Sequence, residues 1–183
     1  DIRTVNGREI LHKYGAPMMT LTHGMFDYEL RIKALDAARV DLSIISLTSP
    51  SVYWGSAEVS AQSARSTNDD MMQAQMAYPD RIRWLATLPW EHAELAVAEL
   101  ERACGNGAVG VFVLANICAQ PLTDAAFTPI WQEIDRRALP VFVHPTAPPG
   151  ADAMDLERFN LIATVGFPYD TTLAISRLVF DGF

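Results

Sequence analysis

The chain has 183 residues, half of them hydrophobic and a fifth charged, enough for one globular domain with a sizeable core and unlike a disordered or fibrous chain. Asp and Glu outnumber Lys and Arg by 22 to 14, a net charge of −8, which argues against a nucleic-acid backbone as partner because that needs a basic face. No Lys/Arg run invites an anionic membrane and no apolar run approaches the ~18 residues that span a bilayer.

No secretory leader pattern opens the sequence. Cys104 and Cys118 lack metal-knuckle spacing, so reduced thiols and a cytoplasmic location are expected.

Residues 1–26 are expected to be irregular apart from one hairpin, turned at Asn6-Gly7, with a second turn at Gly15-Ala16-Pro17. Asp27 is placed to cap a helix running to about Arg39, with Tyr28, Ile32 and Leu35 on one stripe. Val40 to Thr48 reads as a strand, followed by a loop holding Ser49-Pro50 and Tyr53-Trp54-Gly55. Ser56 opens a long helix that Pro79-Asp80 stops after Tyr78. Ile82 to Leu88 is the next strand, ended by Pro89. A helix over about His92 to Cys104 stops at Gly105-Asn106-Gly107, and Val109 to Leu114 is a third strand. Phe127, Ile130, Trp131, Ile134 and Ala138 keep helical spacing. Val141-Phe142-Val143 then forms a short apolar run ending on His144, with Pro145 as the stop. A final helix is expected from Thr171 to Phe180, capped by Asp170 with Thr171 and Thr172 in its first turn.

Strands alternating with helices specify an α/β fold with a parallel sheet, because parallel strands need crossover connections. The spacing suits a TIM barrel or an open doubly wound sheet, and periodicity does not separate them. No Gly-rich phosphate loop follows any strand, which weighs against a dinucleotide or P-loop site. The reading is one domain over 1–183, with the βα units in 27–183.

The residue at the C-terminal tip of a parallel strand points into the mouth of the sheet, where α/β enzymes place their chemistry. His144 holds that position, as a metal ligand or a general base, although a His beside Pro can equally be a hydrogen-bonded structural residue. Ser46 and Thr48 lie near the tip of the first of these strands. Thr48 can hydrogen-bond a substrate or merely satisfy backbone groups. Tyr53 and Trp54 sit on the mouth side and can stack on a planar substrate or pack the rim. Trp84 and Trp131 read as core. His12 and His23 read as loop residues beside turn signals, and His92 as the exposed start of a helix.

Four segments carry a family likeness: VDLSIISLTSP (40–50), YPDRIRWLATLP (78–89), LAVAELER (95–102), and LPVFVHP (139–145) joined to GFPYDTTLAISRLVFDG (166–182). The chain resembles the amidohydrolase-related family, in the branch of the aminocarboxymuconate-semialdehyde and γ-resorcylate decarboxylases. That resemblance implies a (β/α)8 TIM-barrel-like fold, of which this chain holds about the second to fifth βα units. It implies a divalent metal, zinc or manganese, with His144 as the fifth-strand ligand. It also places Phe159 and Asn160 beside the substrate pocket with Thr48, Tyr53 and Trp54. The first-strand His-x-His or Glu-x-His pair of the family does not occur here, and neither do the later His and Asp, so the ligand set is expected to be incomplete. The implied activity is non-oxidative decarboxylation of an unsaturated or aromatic carboxylate, by a homo-oligomer as in relatives. The alternatives are metal-dependent hydrolysis of an amide, ester or lactone on the same fold, and an inactive fragment or non-catalytic α/β binding domain.

Overall fold

In the computed structural model, which describes residues 2–13, 16–156 and 158–183, Asn6 and Gly7 both take left-handed backbone with φ of 51° and 75°. That is the geometry of the expected type I′ turn. It joins β1 (Ile2–Val5) to β2 (Arg8–Lys13) as an antiparallel pair. A third strand, β3 (Ala16–Thr20), adds on the other side of β2. The first residues therefore form a three-stranded sheet, which corrects the expectation of an irregular segment. All four side chains of β1 are exposed, so these strands rest on backbone pairing and turn chemistry, and leave no buried alternation to read. Ala16 and Pro17 lie in β3 instead of a turn, and Gly15 falls outside the described residues. His12 is a strand residue of β2 and not a loop residue, with Nδ1 3.0 Å from the Ile10 carbonyl oxygen. His23 sits in a single 3-10 turn.

The helix α1 (Tyr28–Ala38) starts where expected, since the Leu30 N–H donates to Asp27 Oδ1 at 2.9 Å. Arg39 ends it at φ 56°. The chain divides into two compact units, Asp1–Ser43 and Ile44–Phe183.

The second unit takes up within β4 (Ser43–Ile45), at Ile44, followed by α2 (Ala57–Ala77), β5 (Ile82–Trp84), β6 (Ala86–Thr87) and α3 (Ala93–Gly105). It continues with β7 (Val111–Leu114), a small hairpin of β8 (Asn116–Ile117) and β9 (Gln120–Pro121), α4 (Thr128–Arg136), β10 (Val141–His144) and α5 (Phe167–Phe180). β6 and β10 both pair with β7 in parallel, and β4 pairs with β5. The Leu85 N–H donates to Ile45 O at 3.0 Å and the Ala86 N–H to Gly110 O at 2.8 Å, so β5 and β6 are one rung between β4 and β7. The result is a parallel sheet in the order β4, β5/β6, β7, β10, with α2, α3 and α4 as crossovers.

The strands are shorter than the apolar runs because turns consume their ends. The Val40 N–H closes α1 by donating to Leu35 O at 2.9 Å, and Thr48 O accepts from the Ser51 N–H at 3.0 Å. The last helix begins at Phe167, with Pro168 in its first turn, and not at Thr171. Proline's missing N–H costs nothing there.

The two faces of the sheet differ. On the outer face Ile45, Trp84, Ala86, Val111 and Val113 are buried, with α2 and α3 against β5 and β6. On the inner face Leu85, Phe112 and Leu114 form a cluster with Tyr53 and Val109 packed on it. The inner side chains of the edge strands stay open, Ile44 at 56% and Phe142 at 53% exposure. An open groove of about 520 Å³ runs there, lined by Ile44, Ser46, Leu85, Val109, Pro140 and Phe142.

Close strand approach requires Gly110, whose added Cβ would meet Pro140 O at 2.6 Å and Leu85 Cδ2 at 2.9 Å. Asn68 of α2 docks on the end of β6 as a neighbouring strand would. Its amide donates to Thr87 O and accepts from Thr87 N–H, both at 2.9 Å, and it also donates to Glu99 Oε1 at 2.7 Å. Arg102 neutralises Glu99 from Nη2 at 2.7 Å and reaches Asp69 at 2.5 Å. Burying such a carboxylate is tolerable only with partners of this kind.

Candidate active site

His144 is the last residue of β10, opposite Leu114 in the register. The Ala115 N–H donates to its carbonyl at 2.8 Å, which pins the strand tip. The half-buried ring lies beside Phe112, with centroids 5.6 Å apart and planes at 48°. Nδ1 is 2.6 Å from Pro145 O. A carbonyl only accepts, so in the neutral ring this contact selects the tautomer with the proton on Nδ1 and the lone pair on Nε2. Nε2 is 3.2 Å from Thr48 Oγ1.

Thr48 arrives from the opposite edge of the sheet. In a flat sheet β4 and β10 would lie three strand spacings apart, about 14 Å. The curl of the sheet and the loop after β4 bring their C-terminal sides together in one cup.

That loop is tied down locally. The Trp54 indole N–H donates to Ser51 O at 3.1 Å, and the buried Ser60 hydroxyl donates to Val52 O at 2.6 Å. Tyr53 folds inward against Leu85, Phe112 and Leu114. Its hydroxyl is buried next to Ser51 and the Leu114 backbone, and burial pushes the phenol above its ordinary pKa. Trp54 is half exposed, at 52%. Phe159 is 81% exposed in left-handed backbone, with the Arg158 guanidinium 5.0 Å above its ring. Asn160 is exposed beside it. The structure thus joins Thr48 to His144 and leaves Trp54, Phe159 and Asn160 on outlying loops. Trp84 is fully buried, and Trp131 is half-buried with its N–H on Leu122 O at 2.8 Å. His92 is half-buried at the N-cap of α3.

Asp170 does not cap the last helix. It lies within the first turn of α5, 2% exposed. Its Oδ1 accepts from Asn116 Nδ2 and its Oδ2 from the Thr146 N–H, both at 2.9 Å. Thr171 and Thr172 donate their hydroxyls back to Phe167 O and Pro168 O at 3.1 and 2.7 Å. Sequence reasoning missed Asn116, which lies two residues past the tip of β7, in β8, and carries no local signal of its own.

Among the described residues no three His, Cys, Asp or Glu side chains come together to hold a metal. Cys104 and Cys118 are both free thiols. No helix is long and apolar enough to cross a membrane.

This geometry, a strand-tip imidazole in the mouth of a curled parallel sheet, defines an arc of a TIM-barrel fold. The amidohydrolase family model matches residues 20–183, and the chain belongs to that family. A 2-amino-3-carboxymuconate-6-semialdehyde decarboxylase of Dictyostelium discoideum is 31% identical over 160 residues, covering 86% of this chain and 44% of the relative. A gamma-resorcylate decarboxylase of a Polaromonas species is 31% identical over 162 residues, covering 83% of this chain and 50% of the relative. A solved 5-carboxyvanillate decarboxylase of Novosphingobium aromaticivorans, complexed with manganese and 4-hydroxy-3-methoxy-5-nitrobenzoic acid, matches with a TM-score of 0.79 at 27% identity. That match covers 86% of this chain and 47% of the solved one. A Polaromonas dihydroxybenzoic acid decarboxylase, solved with manganese and 2-nitroresorcinol, matches at 0.74 and 26% identity, covering 82% and 48%. The chain spans about half the length of the curated relatives it matches.

Proposed function

We propose that this chain contributes one wall of the active site of a metal-dependent non-oxidative decarboxylase acting on an aromatic or unsaturated carboxylate. The observation that carries the reading is the His144 imidazole at the tip of β10, its Nδ1 proton committed to Pro145 O and its Nε2 lone pair turned to the cup. A neutral imidazole with its second nitrogen hydrogen-bonded is the state a metal ligand needs. The donor chemistry therefore fits a divalent cation, manganese or zinc, as one ligand of a set. A catalytic site takes about three protein ligands plus an open position, so the remaining donors come from outside the described residues. When bound, such an ion offsets the negative charge that develops as the bond to the carboxylate breaks.

The chain's own residues orient and enclose. The Thr48 hydroxyl holds Nε2 in the absence of a ligand and can turn to a substrate oxygen. Tyr53 closes the floor beside Phe112. Trp54, Phe159 and Asn160 stand on loops beyond the strand ends as rim contacts for a planar ring. Support for the substrate class comes from the decarboxylases named above. The same reading makes the protein a cytoplasmic homo-oligomer without nucleic-acid or membrane partners, a state read by size-exclusion chromatography.

The test is CO2 release from 2,6-dihydroxybenzoate by the protein supplied with Mn2+ or Zn2+, beside hydrolysis of an aryl ester and a lactone. CO2 release that disappears in His144→Ala supports the reading. Hydrolysis without CO2, or a His144→Ala variant of full activity, overturns it.

A further inference from the structure

Three segments distant in sequence meet at one buried carboxylate. Both oxygens of Asp170 are engaged, by Asn116 Nδ2 and by the Thr146 N–H. Asn116 Nδ2 also donates to Ala147 O at 3.0 Å, and its Oδ1 accepts from the Ala119 N–H at 3.0 Å. The first turn of α5, the exit of β7 and the chain after β10 are therefore held as one piece. A carboxylate buried to 2% exposure carries a desolvation cost that a helix turn alone gives no reason to incur. Charge-assisted hydrogen bonds offset it and are about twice as strong as neutral ones. The backbone they grip starts two residues after His144.

We propose that Asp170 is a positioning residue for His144. Through Thr146 and Asn116 its carboxylate fixes the 145–147 backbone, and with it the Pro145 carbonyl that keeps the imidazole proton on Nδ1 and the lone pair on Nε2. The inference rests on the proposed function only in taking Nε2 as the working atom. The arrangement assigns Asn116 the intermediate place, since it ties the same carboxylate to Ala147 O.

The experiment is long-range 15N–1H NMR of the histidine rings with amide hydrogen exchange, on the wild-type chain and on Asp170→Asn, without added metal. The wild-type protein is expected to show His144 as the single Nδ1–H tautomer and a protected Thr146 amide. In Asp170→Asn both tautomers appear and the Thr146 amide exchanges roughly ten- to hundredfold faster, the value of a hydrogen bond to a charged group. Leu100→Ala, a core change under α3, lowers the melting temperature but leaves the His144 tautomer alone. If Asp170→Asn does not fold, Asn116→Ala is read the same way, and the wild-type measurements still decide. An unprotected Thr146 amide or an Nε2–H tautomer in the wild-type protein overturns the proposal. So does a folded Asp170→Asn that keeps the wild-type tautomer, or a Leu100→Ala that disturbs it equally. These readouts need no turnover, so a protein that releases no CO2 leaves them intact, and their failure leaves the decarboxylase reading to its own assay.

Discussion

Thr48 and His144, 96 residues apart, share a contact of 3.2 Å between Oγ1 and Nε2, and this bond ties the loop after β4 to the tip of β10 across the mouth. Replacing Thr48 by Val keeps the shape and removes the hydroxyl, leaving a partly buried imidazole nitrogen unpaired. The expected cost is about 1 kcal/mol, measured as a shift of the urea midpoint. An unchanged midpoint shows that water serves Nε2 as well as Thr48 does.

The amide of Asn68 satisfies both backbone groups of Thr87 and one oxygen of Glu99. Asn68→Ala removes all three bonds in a buried place and leaves Glu99 to Arg102, with the Arg65 guanidinium 4.0 Å away. A loss of roughly 3 kcal/mol or more is expected, large enough to read as a fall in melting temperature. A fall of only a degree or two would mean that water enters and takes over the amide's role.

Gly110 lets β7 and β10 come close, and an added methyl would meet Pro140 O at 2.6 Å. That oxygen accepts from the Val111 N–H at 2.9 Å, so it cannot retreat without breaking the ladder. Gly110→Ala is expected to cost about 1–3 kcal/mol and to displace the strand carrying His144. Chemical-shift changes spreading along residues 141–144 would record the displacement, and their absence would count against it.

Acid dependence has one identifiable source in α4. Hydrogen bonds from Arg136 and then Arg137 hold the Glu133 carboxyl at about 2, below its ordinary 4.5. Because the folded value is the lower one, the folded chain binds fewer protons than the unfolded chain between these values. The contribution is complete above about pH 4.5 and is lost as pH falls through about 2. The advantage of wild type over Glu133→Gln in urea should be steady at neutral pH and shrink across that window. Arg136 is 62% exposed, so added salt should reduce the advantage as well. A difference that stays constant down to pH 2 contradicts the assignment.

Part of this architecture is readable in the residues themselves. Val141, Phe142 and Val143 form an apolar run that pairs with β7 and stays only partly covered, Phe142 lying against Phe112, and that run points straight at His144. Asp27 and Ser56 announce their helices by local hydrogen bonds of their own side chains, to Leu30 and Val59. Asn6-Gly7 announces the β1–β2 hairpin, but β3 is not legible, because pairing made by backbone groups leaves no buried alternation while side chains such as Ile2 and Val5 remain exposed. Asp170 looks like a cap from its neighbours, Thr171 and Thr172. Its true partners, Asn116 and Thr146, stand 54 and 24 positions away, and no local pattern announces a contact between loops. Strand lengths were overread for the same reason: a carbonyl spent on a turn, as at Thr48, leaves no trace in hydropathy.

Ile44 and Phe142 bring greasy side chains to water along the two margins of the arc, where β4 and β10 also carry the sheet's unpaired rims among the described residues. A second copy seated on these margins would stabilise the fold by mass action, because only the folded chain binds it. Dilution should soften such a protein and concentration should harden it, so that its melting temperature reports how crowded the tube is as much as how well the chain is folded.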